Sequence, residues 1–174
     1  MKLGLFFGSS SGMTEHVAEG MKAALGSDLS DFKNIAQTTT EELAACDALI
    51  LGIPTWDDGR LQSDWDYFLG KMDRVSLAGR KAAIFGLGDA YGYPDTFLDA
   101  VGLLAEKLES RGCAIVGAWP IEGYDFKQSK AVRGGKFLGL GLDVMNQDEL
   151  TADRVGRWLA QVRSELSLPA PAVS

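Results

Sequence analysis

The stretch Leu3–Thr14, LGLFFGSSSGMT, decides how this chain is read. A short apolar run breaks into glycine and serine residues, and a helix begins directly after them. A strand, a polar turn and a helix start in that order form an anion site, because free backbone N–H groups and the positive end of the helix dipole face whatever the turn holds. A phosphate suits it. A plain helix-capping turn rich in serine is the alternative reading of the same residues.

The loop is neither of the two commonest phosphate motifs. A Walker-type loop places Lys and then Ser or Thr at the helix start, and a dinucleotide fingerprint reads G-x-G-x-x-G. Here Ser9, Ser10, Ser11 and Thr14 bring hydroxyls, Gly12 permits close backbone approach, Met13 adds no charge, and no Lys or Arg lies between Lys2 and Lys22. Such a loop suits one terminal phosphomonoester held by uncharged donors.

The 174 residues, 46% of them hydrophobic, fit one globular domain with a substantial core. The expected boundaries are a domain over 1–166 and a tail over 167–174 that begins near the Pro169-Ala170-Pro171 run. No apolar run approaches the length of a membrane span, and the first is too brief for a signal peptide, so a cytoplasmic location is expected. A net charge of −7 argues against nucleic acid or an anionic membrane and favours partners with a basic face. The two cysteines, Cys46 and Cys113, sit beside apolar strands and read as small core residues, while His16 is the only histidine and reads as surface. A disulfide, a metal cluster or a cysteine nucleophile is therefore not expected, and metal coordination and Ser-His catalysis lack their usual raw material.

Strands and helices alternate along the chain. Val17, Met21, Ala24 and Leu25 give the first helix its apolar stripe and Gly26 ends it. Leu29–Phe32 reads as a short strand, Glu41–Ala44 as a brief helix, and Ala48–Ile53 as a central strand covered on both faces. A helix with Trp65, Phe68, Leu69 and Met72 inward follows, then the strand Lys81–Leu87. Thr96–Asp99 resembles a capping box for the next helix, which carries Val101, Leu104, Ala105 and Leu108. Cys113–Gly117 begins a fifth strand; residues 120–137 show no period and read as an excursion; Phe137–Leu142 restores apolar character; and Thr151 opens a last helix with Val155, Trp158, Leu159, Val162 and Leu166 inward. Trp65, Trp119 and Trp158 read as packing.

Alternating units of this kind build a parallel sheet between helices, with ligands beyond the carboxyl ends of the strands. Three loops leave those ends: Gly8–Met13, Pro54–Gly59 and Gly88–Pro94. Trp56 and Tyr93 on the second and third are candidate walls for a planar ring beside the phosphate loop.

These residues resemble the long-chain flavodoxins. Leu5-Phe6-Phe7, Ser9, Gly12, Thr14 and Ala18 match the first loop of that family, although Met21 stands where Leu, Ile or Val is usual and Met13 where Lys is frequent. Pro54-Thr55-Trp56 resembles the loop on the inner face of the flavin. Gly86-Leu87-Gly88-Asp89 with Gly92-Tyr93 resembles the loop whose tyrosine stacks on the outer face. Gly123–Phe126, Ser129–Ala131, Gly135–Phe137, Asp143 and Asn146-Gln147 resemble the long-chain insertion and its exit.

The resemblance implies an α/β fold with a doubly wound, five-stranded parallel sheet of order 2-1-3-4-5, a three-layer sandwich with an insertion at the last strand. It implies non-covalent FMN held by Ser9, Ser10, Ser11, Gly12, Met13, Thr14, Pro54, Thr55, Trp56, Asp57, Gly59, Leu87, Gly88, Asp89, Tyr93, Thr96 and Leu98, with no catalytic residue. The Asp57 carbonyl would turn toward the flavin on reduction and accept from N5–H. Asp57 and Asp58, where the family often has Asn or Gly at the first position, read equally well as solvated turn residues. Adding electrons beside a phosphate dianion in a net-negative protein, with Asp57, Asp58 and Asp89 nearby, implies a low potential.

The expected role is a monomeric one-electron carrier between a reductase and an acceptor. Donors of the flavodoxin/ferredoxin-NADP reductase or pyruvate oxidoreductase type, and nitrogenase-type or other low-potential acceptors, are the implied partners. An FMN-dependent NAD(P)H:quinone oxidoreductase is the alternative. A phospho-receiver domain is a third reading, but Gly8-Ser9 and Ile53-Pro54 stand where its acidic residues belong. Lys127, Lys130, Arg133 and Lys136, three apart, form either a solvated loop face or a docking patch.

Overall fold

Three strands with almost unbroken burial determine the architecture. In the computed structural model, which describes residues 1–169, β1 (Leu3–Phe7) is wholly buried, as are the first six residues of β3 (Ala48–Trp56) and the last six of β5 (Lys81–Leu87). Successive strand residues face opposite sides, so continuous burial means that both faces are covered. The cover is α1 (Met13–Leu25), α3 (Ser63–Lys71), α4 (Asp99–Ser110) and α5 (Thr151–Glu165), disposed on both sides of the sheet. β2 (Asp31–Asn34) is the edge beside β1, and the short α2 (Thr40–Ala44) is closed by a full capping box between Thr39 and Glu42.

The fifth position of the sheet is filled twice. β6 (Ala114–Val116) pairs in parallel with Lys81–Ala83 of β5, and β10 (Leu140–Leu142) pairs in parallel with Phe85–Leu87. The order is β2-β1-β3-β5 followed by this divided strand, and every pairing among them is parallel. The expected order and the insertion at the last strand are therefore both present.

Within the insertion the structure corrects the aperiodic reading of residues 120–137. β7 (Trp119–Pro120), β8 (Val132–Arg133) and β9 (Lys136–Phe137) form a small antiparallel sheet of order β7-β9-β8. Strands two residues long carry no readable alternation. What holds them is side-chain packing: Phe97, Tyr124, Phe126 and Phe137 meet at centroid distances of 5.1–5.9 Å. The Tyr124 hydroxyl accepts from the Trp119 indole at 2.9 Å and donates to the Gly141 carbonyl at 2.6 Å, fastening the insertion to β10.

The tryptophans expected to pack do so. Trp65 and Trp158 are fully buried, and each donates its indole N–H to a backbone carbonyl, of Gly52 and Gly117 respectively, at 2.9 Å. Cys46 and Cys113 are buried free thiols, both pushed up to about 11 by burial, and His16 is exposed. Three local expectations fail. Ala24 is exposed rather than part of the α1 stripe. The strand expected at Leu29–Phe32 begins at Asp31, because Gly26–Asp28 continues α1 as a 3-10 turn. Thr96 makes no cap: Leu98, with φ 60°, is the N-cap of α4, and the buried Thr96 Oγ1 has no hydrogen-bond partner among the described residues. Residues 170–174 of the expected tail lie outside the described residues.

Candidate functional site

The amino end of α1 is left open by its own sequence. Gly12, at φ 89°, turns the chain into the helix without a side-chain cap, so the N–H groups of the first turn remain free for a ligand. Ser9 Oγ accepts from the Gly12 N–H at 3.0 Å, and Ser10 Oγ accepts from Gln62 Nε2 at 3.1 Å. A hydroxyl used as an acceptor still has its proton to donate. Gln62 is 2% exposed and also caps α3, accepting from the Trp65 N–H at 3.3 Å. Gly8 must lack a side chain because a Cβ there would lie 2.5 Å from both Gln62 Oε1 and Trp65 Cδ1.

The second loop is a hairpin. β3 runs on through Trp56 and pairs antiparallel with β4 (Arg60–Leu61), Trp56 facing Arg60. The turn between them holds Asp57 at φ 43° and Gly59 at φ 90°. A left-handed aspartate is uncommon but tolerated, because its short polar side chain offsets part of the steric cost. Thr55 Oγ1 accepts from the Ala100 N–H at 3.0 Å, so α4 starts against this hairpin.

The third loop is tied by its acid. Asp89 Oδ1 accepts from the Gly92 N–H at 2.8 Å and from Asn146 Nδ2 at 2.9 Å, and the Tyr93 N–H closes on the Asp89 carbonyl at 2.9 Å. The Gly92 bond, then the Asn146 bond, hold the Asp89 carboxyl below the usual carboxylate range. Asn146 belongs to a fourth loop, after β10, which is anchored by Asp143 beneath it.

These four loops enclose one cleft of about 410 Å³, lined by Ser11, Met13 and Thr14 from the first, Pro54–Asp57 from the second, Leu87–Asp89 and Tyr93 from the third, and Val144 and Met145 from the fourth. Trp56 and Tyr93, each 40% exposed, stand in the same cleft as the buried Thr14. Large apolar side chains held half in water around a hydroxyl-rich helix start suit a ligand with a flat apolar body and an anionic tail.

Six of the expected residues do not line that cleft. Ser9, Ser10 and Gly12 shape the loop behind Ser11 and Thr14 through the bonds above. Gly59 and Thr96 line a neighbouring hollow of about 380 Å³ with Asp58, Asp95 and Asp99. Leu98 is fully buried in the core and has no surface to offer a ligand. Conversely, Gln62, Val144, Met145 and Asn146 were absent from the expected set. The fourth loop was discoverable in principle, because a parallel β10 must deliver its carboxyl end to the same edge as the other strands. Gln62 gave no such signal.

The family model for flavodoxin matches residues 5–158. The chain belongs to the flavodoxin family. It is 46% identical over 168 residues to the flavodoxin of Synechococcus elongatus, covering 96% of this chain and 99% of that one. It is also 43% identical over 166 residues to flavodoxin 1 of Escherichia coli, covering 95% and 94%. Among solved structures, the Fusobacterium nucleatum flavodoxin bound to flavin mononucleotide superposes with a TM-score of 0.90 at 26% identity, covering 94% and 98%. Flavodoxin membership agrees with the divided fifth strand and with the phosphate-type first loop.

Proposed function

We propose that this flavodoxin is a one-electron carrier that holds FMN non-covalently in the four-loop cleft. The observation that carries the reading is the continuity of that cleft from the open amino end of α1 to the two half-exposed rings of Trp56 and Tyr93. The residues present fit such a group. Ser11, Thr14 and the free N–H groups of α1 hold the phosphate by charge-assisted hydrogen bonds, with Ser9, Ser10 and Gly12 setting the loop. Trp56 and Tyr93 flank the ring system, and Pro54, Thr55, Leu87, Gly88 and Met13 close the space around it. FMN supplies the one-electron chemistry. The Asp57 backbone carbonyl would accept a hydrogen bond from the N–H of a protonated flavin N5, and the acids of the rim would make each added negative charge unfavourable.

The net charge of −7 supports docking onto partners with basic faces, and a monomeric cytoplasmic carrier is the economical form of that role. No helix among the described residues is long and apolar enough to cross a membrane. The test is an anaerobic spectroelectrochemical titration of the FMN-loaded protein. Two resolved one-electron steps are expected; a single two-electron step, or rapid bleaching by NADPH alone, would favour the quinone-oxidoreductase alternative.

A further inference from the structure

A buried carboxyl outside the cleft joins the hairpin turn to the insertion. Asp99, the first residue of α4, is 3% exposed. Its Oδ1 accepts from the Lys130 N–H of the insertion at 2.8 Å. Its Oδ2 is the atom that a Cβ on Gly59 would meet first, at 3.1 Å. The next residue, Ala100, donates its N–H to Thr55 Oγ1 on the strand that leads into the same turn. Thus Thr55 and Gly59, on either side of Trp56 and Asp57, both rest on the start of α4, and α4 is held from behind by Lys130.

We infer that Asp99 is a positioning residue for the cofactor site: through Lys130 it uses the insertion to fix the start of α4 beneath the Asp57–Gly59 turn. A carboxyl with one oxygen committed to a backbone N–H loses the freedom to rotate, so its other oxygen becomes a fixed stop under Gly59. Gly59 is then constrained twice, by its φ of 90° and by the space Asp99 leaves it. The turn presents Trp56 and the Asp57 carbonyl, so a looser turn weakens the wall and the N5 acceptor together.

The inference rests on the FMN reading and is tested separately from it. Asp99→Ala removes both contacts. Lys130→Pro removes the donated N–H together with the lysine side chain, for which Lys130→Ala, keeping the N–H, is the control that should stay near wild type; the proline falls at the second position of the turn that the Val132 N–H closes on the Ser129 carbonyl at 3.3 Å, where it is favoured. Asp99→Ala and Lys130→Pro are each expected to bind FMN roughly threefold to tenfold more weakly by fluorescence titration of the apoprotein, the loss of about one hydrogen bond. Each is also expected to narrow the gap between the two midpoint potentials, by about 59 mV for a tenfold change, because the carbonyl is needed only once N5 carries a proton. The double variant should lose little more than either alone. Asp99→Asn keeps an oxygen for Lys130 and should restore wild-type affinity. Unchanged affinity and unchanged potentials in Lys130→Pro would overturn the inference even if Asp99→Ala does not fold, as would additive losses in the double variant. Failure of the wild-type apoprotein to bind FMN would instead overturn the reading beneath it.

Discussion

The indole of the fully buried Trp65 donates to the Gly52 carbonyl at 2.9 Å, so α3 is bonded to the middle of the central strand β3. Gly52 itself has no room for a side chain, since a Cβ would lie 2.2 Å from the Phe85 ring. The same carbonyl accepts the Gly8 N–H at 3.1 Å, which ties the start of the phosphate-type loop to this point. Trp65→Phe keeps most of the volume but removes the indole donor. A loss of about 1–3 kcal/mol is expected in chemical denaturation of the apoprotein. The Gly8 turn should loosen with it, seen as faster amide exchange at Gly8.

Trp56→Ala removes one face of the proposed ring site. Aromatic stacking contributes roughly 0.5–1.5 kcal/mol beyond area burial, so FMN affinity should fall at least threefold to tenfold, and both midpoint potentials should move. Unchanged affinity and potentials would show that Trp56 is not a wall of the site.

Thr14 is 2% exposed and is the second residue of the first turn of α1. Thr14→Val conserves shape and deletes the hydroxyl. A hydrogen bond to a charged partner contributes about 1.5–3 kcal/mol, so FMN binding should weaken roughly tenfold to a hundredfold while riboflavin binding stays near wild type. Equal losses for the two ligands would place the Thr14 hydroxyl away from the phosphate.

The Asp89 carboxyl is held below its ordinary range by the Gly92 N–H and by Asn146. A depressed folded value means that the contribution is complete above the unfolded carboxylate value, about 3.9, and is lost as pH falls through the folded one. Asn146→Ala removes the second donor, so the depression shrinks and the loop loses its tie at higher pH. Denaturation of the apoprotein as a function of pH should show wild type and variant diverging in the acid limb. Asp89→Asn should flatten that limb; an identical acid profile in all three proteins would refute the assignment.

Burial pushes the Tyr124 hydroxyl above the usual phenol range, so in the folded protein it should ionise at higher pH than an exposed tyrosine, read by phenolate absorbance. Tyr124→Phe leaves the Trp119 indole and the Gly141 carbonyl without their shared partner. A loss of about 1–3 kcal/mol and loosening of the insertion, read by proteolysis within residues 117–139, are expected.

The sequence by itself determined the features that depend on local chemistry. The apolar run Ala48–Ile53 pointed to a strand covered on both faces, a Ser-rich turn before a helix pointed to an anion site, and the loops carrying Trp56 and Tyr93 had to emerge at one edge because parallel strands share a direction. Tertiary structure decided what depends on segments distant in sequence. β6 and β10 share one neighbour although residues 117–139 separate them, and two-residue strands have no period to betray them. Gln62 behind Ser10, Asn146 on Asp89, and Asp99 between Gly59 and Lys130 are contacts across 31 to 57 positions of sequence. Leu98 shows the reverse limit: the family resemblance implied a ligand contact there, but its side chain is fully buried in the core, where it has no surface for a ligand.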